Sequence, residues 1–366
     1  MANGLLRAGL EGARVSPDGS IDESSLPAEL RAMIAAARRP EYLGANGRLI
    51  GRPFVSKVFK GERFVAIGGR ITKIPPGATF HEFLQALLVD EVLSRAWVAA
   101  EQEKGESGHP IVRWLSDIRA LRAAAPAPVG KVHSVGATGS ALAFLTLAYD
   151  VYSTYHCARL PARIRSRLKH PLEFQGAKYE IAVAGLFVRA GFTIEWINNS
   201  TRRRPEFVAR HKTTGEQLVV EAKSRRRAGV LGHPGAQRAD SPTADLDGLF
   251  RDALEKETDG LPYVICLDAN LPLGTNGQAG ATWLRDIQRM LEERASSPTE
   301  PEPFAAITVT NFSWHYAGAS TVGGQSESLL VLPRFPAVAL RDPRTTQLIF
   351  SAMQQYGDVP GVFPDD

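Results

Sequence analysis

The chain has 366 residues, 44% of them apolar, enough for two globular domains or for one core with a sizeable extension. A net charge of +4 is a mild basic excess that suits a polyanionic partner without requiring one, so the distribution of charge has to carry any argument about partners. The two cysteines, Cys157 and Cys266, match no zinc spacing and exclude a disulfide framework, which points to a reducing compartment. No charged and then apolar N-terminal segment marks a secretory signal. The longest apolar stretch, Ala141 to Tyr149, stops at Asp150, short of the roughly 20 residues that a bilayer requires. The expected location is the cytoplasm, with no membrane partner.

Taken in chain order, residues 1–27 are polar and punctuated by Gly and Pro, and Ala28 to Arg39 have helical periodicity. Between Phe54 and Ile74, alternating segments flank Gly61 and Gly68-Gly69, the pattern of a small antiparallel meander. Helical patterning runs from Phe80 to about Glu103 and again from Ile111 to Ala124. Ala124 to Gly130, with Pro126 and Pro128, breaks both helix and ladder and reads as a linker. A helical region spans about Ser140 to Leu168 with an interruption near Pro161, and its end is basic: Arg159, Arg163, Arg165, Arg167 and Lys169.

Beyond that point helices and strands alternate. Helices are expected at 172–190, 244–257 and 281–295, and strands at 192–198, 205–211, 216–223, 262–268, 304–316 and 328–333. This is an α/β core with a mixed sheet. The Pro-rich segment that follows has one expected helix near Thr346 to Gln355. The resulting division is a mostly helical N-terminal domain with a small β-hairpin at 1–125, a basic helical connector at 126–170, the core at 171–333 and a tail at 334–366.

Chemistry concentrates in the core. Pro205 to His211 and Glu216 to Lys223 read as two strands joined by a tight turn. Side chains two apart on a strand share a face, so Glu221 and Lys223 project together while Val220 and Ala222 face the other way. With Thr213 and Thr214 as the central turn residues, Glu206 stands opposite Glu221, with Cβ atoms about 5 Å apart. A three-residue loop ending in Gly215 would instead shift the register by one, and a bulge near Pro205 would have to restore it. Two carboxylates at one spot repel unless a cation lies between them, and Mg²⁺ prefers such hard oxygen ligands. Upstream, the helix from Phe174 to Ala190 is apolar almost all round, and Glu180 within it is costly to bury unless paired or bound to a cation.

The set Tyr179-Glu180 on an apolar helix, Gly191-Phe192 entering a strand, Pro205-Glu206, and Glu221-Ala222-Lys223 resembles the PD-(D/E)xK, or restriction-endonuclease-like, nuclease superfamily over roughly residues 165–270. The resemblance implies a mixed β-sheet core flanked by helices and hydrolysis of phosphodiester bonds with Mg²⁺ or Mn²⁺. It makes Glu206 and Glu221 metal ligands, the Ala222 carbonyl a further ligand, and Glu180 an accessory ligand. It makes Lys223 the group that orients or deprotonates the attacking water and stabilises phosphorane charge. The family usually carries Asp where this chain has Glu206. Nucleic acid, DNA in preference to RNA, is the implied partner, with a homodimer or a partner protein compatible, and restriction or defence would fit the family.

Arg202-Arg203-Arg204 precede the first hairpin strand and Arg225-Arg226-Arg227 follow the second, so both triplets fall at the end that carries the acids and read as phosphate-binding groups. The basic stretch from Arg159 to Lys169 suits a phosphate or a helix C-terminus. His233, Gln237 and Asp240 read as loop residues, His156-Cys157 and His315 as core or surface residues, and Gly68-Gly69 and Gly323-Gly324-Gln325 as turns. Ser140 lies in no nucleophile elbow. Two other readings stay open: a non-catalytic member of the family serving as a nucleic-acid-binding or scaffolding module, and an unrelated α/β protein in which the acids do not converge.

Overall fold

The computed structural model describes residues 23–25, 28, 31, 56–68, 70–75, 77–124, 135–198, 203–226, 246–271, 279–294, 296–323 and 327–363. The helix expected at 28–39 and the linker after Ala124 lie almost wholly outside the described residues. Three short strands, β1 (Ser56–Phe59), β2 (Glu62–Ile67) and β3 (Arg70–Ile74), form the expected antiparallel meander. The helical run after it is not continuous. Helix α1 (Phe80–Leu87) begins with a Thr79/Glu82 capping box, passes into a π-type turn over Leu88–Leu93, and breaks at Ser94. Ser94 takes φ +69° and caps α2 (Arg95–Glu103) through its side chain, so the chain restarts as a new helix. Helices α3 (Pro110–Ala124), α4 (Gly139–Tyr155) and α5 (Ala162–Leu168) follow, with Pro161 separating the last two. Side chains from β2, β3, α1–α5 and the start of α6 share one apolar cluster around Phe80, Phe83, Trp114 and Phe144.

Helix α6 (Phe174–Arg189) leads through Gly191, at φ +92°, into the main sheet. Its six strands lie in chain order: β4 (Phe192–Trp196), β5 (Phe207–His211), β6 (Gln217–Ser224), β7 (Tyr263–Asp268), β8 (Ala306–Asn311) and β9 (Glu327–Val331). The pairs β6/β7 and β7/β8 are parallel and the other three antiparallel, so the sheet is mixed as expected. The helices α7 (Asp247–Leu254) and α8 (Ala279–Glu292) are the connections between the parallel strands. Strand parity sorts the core into two layers. Leu218, Val220, Ala222, Val264 and Cys266 pack against α6 and α9 (Arg344–Gln354), while Val219, Ile265, Leu267, Ile307 and Val309 pack against α7 and α8.

Helix α6 is apolar almost all round because the sheet, α4 and α9 cover most of it. Its contact with α4 depends on Gly185, where a Cβ would stand 2.8 Å from both Cα and Oδ1 of Asp150. Backbone that close cannot yield without separating the helices, so Gly185→Ala should lose roughly 1–3 kcal/mol of stability. Urea denaturation tests this, and an unchanged midpoint would show that the crossing tolerates a methyl group. No helix among the described residues is long and apolar enough to cross a membrane.

Candidate active site

The hairpin that carries the acids adopts the register centred on Thr213 and Thr214. Phe207 pairs with Val220 and Arg210 with Gln217. The His211 amide donates to the Glu216 carbonyl at 2.8 Å, and Gly215, at φ +70°, donates to the His211 carbonyl at 3.0 Å. The β5 ladder ends at Phe207. Glu206 lies one residue beyond, its amide bonded to the Val220 carbonyl at 2.9 Å, so that Glu206 and Phe207 both stand against Val220 in the two-against-one arrangement of a β-bulge. The Val219 amide bonds to Pro262 on the β7 side, and peptide groups alternate along a strand. Those of Ala222 therefore face the β5 side, past the last rung of that ladder. The bulge ends the regular β5/β6 ladder where the acidic residues stand.

Glu221 and Lys223 share the α7 face of β6, with Lys223 Nζ 3.1 Å from Glu221 Oε1. A second amine, Lys256 Nζ, lies 3.3 Å from the same oxygen. Glu221 has 0% exposure, and neither of its carboxylate oxygens has a hydrogen-bond partner among the described residues. Both ammonium groups stand at ion-pair distance without hydrogen-bond alignment. Burial pushes the Glu221 carboxyl above the usual range. The nearby Lys223 opposes this, the Glu206 charge adds to it, and Lys256 opposes it again.

Glu180 arrives from the opposite layer, on α6. Arg167 Nη1 donates to its two oxygens at 2.7 and 2.9 Å. Arg163 Nη1 stands 3.2 Å from Glu206 Oε2 and 3.8 Å from Glu180 Oε2, so one guanidinium links the two acids around the end of β5. Its other nitrogen is fixed by the Ile197 carbonyl at 3.2 Å. Burial first and the Glu206 charge second raise the Glu180 carboxyl above the usual range, against the pull of Arg167 and Arg163. The acids are thus buried beneath a partly exposed layer of Arg163, Arg167 and Lys223.

Among the described residues, no three or more His, Cys, Asp or Glu side chains form a group that could hold a metal ion. Glu206 is near enough for its charge to act on Glu221, but its amide meets Val220 in place of the expected register opposite Glu221, and Glu180 is tied to arginines. Of the arginine triplets, Arg203 and Arg204 are exposed and stand 4.0 Å from Glu257 and 3.4 Å from Asp259. Arg225 is half-buried, its amide on Asp268 and its carbonyl on Asn270, and Arg226 is exposed. Arg202 and Arg227 lie outside the described residues, as do His233, Gln237, Asp240, Gly69, Gly324 and Gln325. His315 and Cys266 are buried, and burial pushes the Cys266 thiol up to about 12. Ser140 donates to Asp117 and is not exposed for attack.

Sequence reasoning missed Lys256 altogether, since Glu255-Lys256-Glu257 has the look of a solvated helix end. It noted Arg163 and Arg167 as part of a basic stretch without linking them to the acids. The i, i+4 spacing of the two arginines on α5 is the signal that both face one side. Comparisons with protein-family models, with curated proteins and with solved structures give no match for this chain.

Proposed function

We propose that the protein is a metal-dependent phosphodiesterase of the restriction-endonuclease-like type, using Mg²⁺ or Mn²⁺ on nucleic acid, with DNA favoured over RNA by the family resemblance. The observation that carries this reading is Glu221: a fully buried carboxylate held by two ammonium groups on one oxygen, close enough to Glu206 to feel its charge, and sharing its face with Lys223. Buried carboxylates gathered at one place are costly even when paired, and a hard cation is a partner that such oxygens would take. Two carboxylates suffice, because Mg²⁺ retains several waters and is commonly held by one or two acids. Glu206 and Glu221 would hold the ion, with the Ala222 carbonyl beside them.

When bound, the cation polarises phosphate oxygen and lowers the pKa of water. The chain's own groups do the rest. Lys223, partly open to solvent, sits where it can orient the attacking water and offset developing negative charge. Arg163 and Arg167 stand at the mouth of the site, and Arg203, Arg204 and Arg226 are exposed near the hairpin end, where phosphates on either side of a scissile bond would lie.

A second reading, a nucleic-acid-binding or scaffolding module without catalysis, is favoured by Arg163. Its guanidinium already bridges Glu206 and Glu180, and four basic groups (Arg163, Arg167, Lys223, Lys256) stand against three acids. Such a site is neutralised by the protein itself. Plasmid and oligonucleotide cleavage with Mg²⁺, Mn²⁺ and EDTA separates the two. The nuclease should cut with either ion and stop in EDTA. Binding without cutting would transfer the case to the module, and neither binding nor cutting of DNA or RNA would end both.

A further inference from the structure

We propose that Lys256 is a positioning residue for Glu221, an inference that rests on the nuclease reading above. Two amines approach one carboxylate oxygen, Lys223 Nζ at 3.1 Å and Lys256 Nζ at 3.3 Å. Their surroundings differ. The Lys223 side chain is 25% exposed and that of Lys256 only 7%, so a substrate or water can meet Lys223 while Lys256 faces the protein. An amine so little exposed meets Glu221 where a substrate does not reach it.

The backbone around Lys256 is built to hold it there. Its amide bonds to the Ala253 carbonyl at 3.2 Å, closing the end of α7. Tyr263 Oη, at the start of β7, donates to the same Ala253 carbonyl at 2.7 Å, which ties the helix end to the sheet beside Glu221. On the next residue, the Glu257 amide donates to the Arg203 carbonyl at 2.8 Å, joining the α7 end to the strand that enters with Glu206. Lys256 is thus anchored to the segments that carry both proposed ligands. Its ammonium group, 3.3 Å from Oε1, restrains the orientation of the Glu221 carboxylate. Lys223 is then left to serve water and phosphate. The two lysines divide the labour that one residue would otherwise have to combine.

Removing a group that orients a metal ligand typically lowers metal affinity or activity by about 10- to 100-fold. In the full-length protein, Lys256→Met should raise the Mn²⁺ concentration for half-maximal single-turnover cleavage by about that factor. DNA affinity in EDTA should stay unchanged, and Lys256→Arg should recover most of the loss. Lys223→Ala should show the reverse split, a lost rate at saturating Mn²⁺ with near-normal metal dependence. Melting temperatures are read alongside. If Lys256→Met does not fold, Glu221→Gln and the double variant Glu221→Gln/Lys256→Met decide: with no anion to position, the second substitution should cost no further Mn²⁺ affinity. A further tenfold loss in the double variant, or a folded Lys256→Met with wild-type metal dependence, overturns the inference alone. Wild-type protein that neither takes up Mn²⁺ nor cleaves removes the nuclease reading and this inference with it.

Discussion

Glu221→Ala and Lys223→Ala should each reduce cleavage by about 10²- to 10³-fold, the range typical of deleting one preorganised electrostatic group at a reacting centre. The two losses have different origins. Glu221 is fully buried, so its removal takes away a proposed ligand and leaves Lys256 facing a small apolar void. Lys223 is partly exposed, so its removal would take charge from the proposed place of the phosphate and leave the proposed ligand in place. Single-turnover rates at saturating Mn²⁺ measure the effect, with circular dichroism to show that the fold is retained. Fluorescence anisotropy on labelled DNA in Ca²⁺ should show binding within a few-fold of wild type in both variants. Glu206→Asp, which restores the residue usual in the family and withdraws the carboxylate from Arg163, should keep or raise activity. Glu206→Gln should lose metal binding. Cleavage that survives both Glu221→Ala and Lys223→Ala would place the chemistry elsewhere on the protein.

Much of this site was legible because it depends on short-range parity. That Glu221 and Lys223 share a face follows from the two-residue period of a strand, and the hairpin register follows from a turn centred on Thr213-Thr214, but the bulge that sets Glu206 against Val220 has no local signal. The break at Ser94 was not legible, since the apolar pattern continues across it and only the positive φ reveals the new start. The layer from which each acid arrives was equally hidden. Periodicity says that Glu180 is on a buried helix, but not that this helix covers the sheet face opposite to Glu221. The arginines failed for a related reason. Arg163 meets Glu206 across 43 residues of chain and Glu180 from a different helix, and no local spacing encodes such a pair. Lys256 meets Glu221 through the closure of α7 against the sheet, which is tertiary packing in origin.

Replacing Arg189 with Leu should cost about 3–5 kcal/mol at pH 8 and distinctly less at pH 5. Arg189 ends α6, the helix on which Glu180 stands, and Nη2 donates to Asp150 Oδ1 on α4 at 2.8 Å. Tyr356, just past α9, donates to Asp150 Oδ2 at 2.7 Å, so one carboxylate fastens three helices. Asp150 is fully buried, and burial, opposed chiefly by Arg189, pushes its carboxyl up to about 6. A carboxyl raised in the folded state binds its proton more tightly there than in the unfolded chain. The stability it contributes is therefore present at pH below the ordinary aspartate range and is lost as pH climbs through about 6. Without Arg189 the opposing pull disappears and the folded-state value rises further, so the loss continues through neutrality. At pH 5 the neutral acid needs no counter-charge and can donate a hydrogen bond of its own. Arg189 also lies over the rings of Tyr149 and Tyr356, at 5.1 and 5.6 Å, and losing those contacts costs stability at both pH values. The difference between the two pH values isolates the buried charge. Urea denaturation of wild type, Arg189→Leu and Arg189→Leu/Asp150→Asn measures it, and the double variant should recover most of the loss at pH 8. Equal losses for Arg189→Leu at pH 5 and pH 8 would show that the arginine acts by packing and not by holding the Asp150 charge.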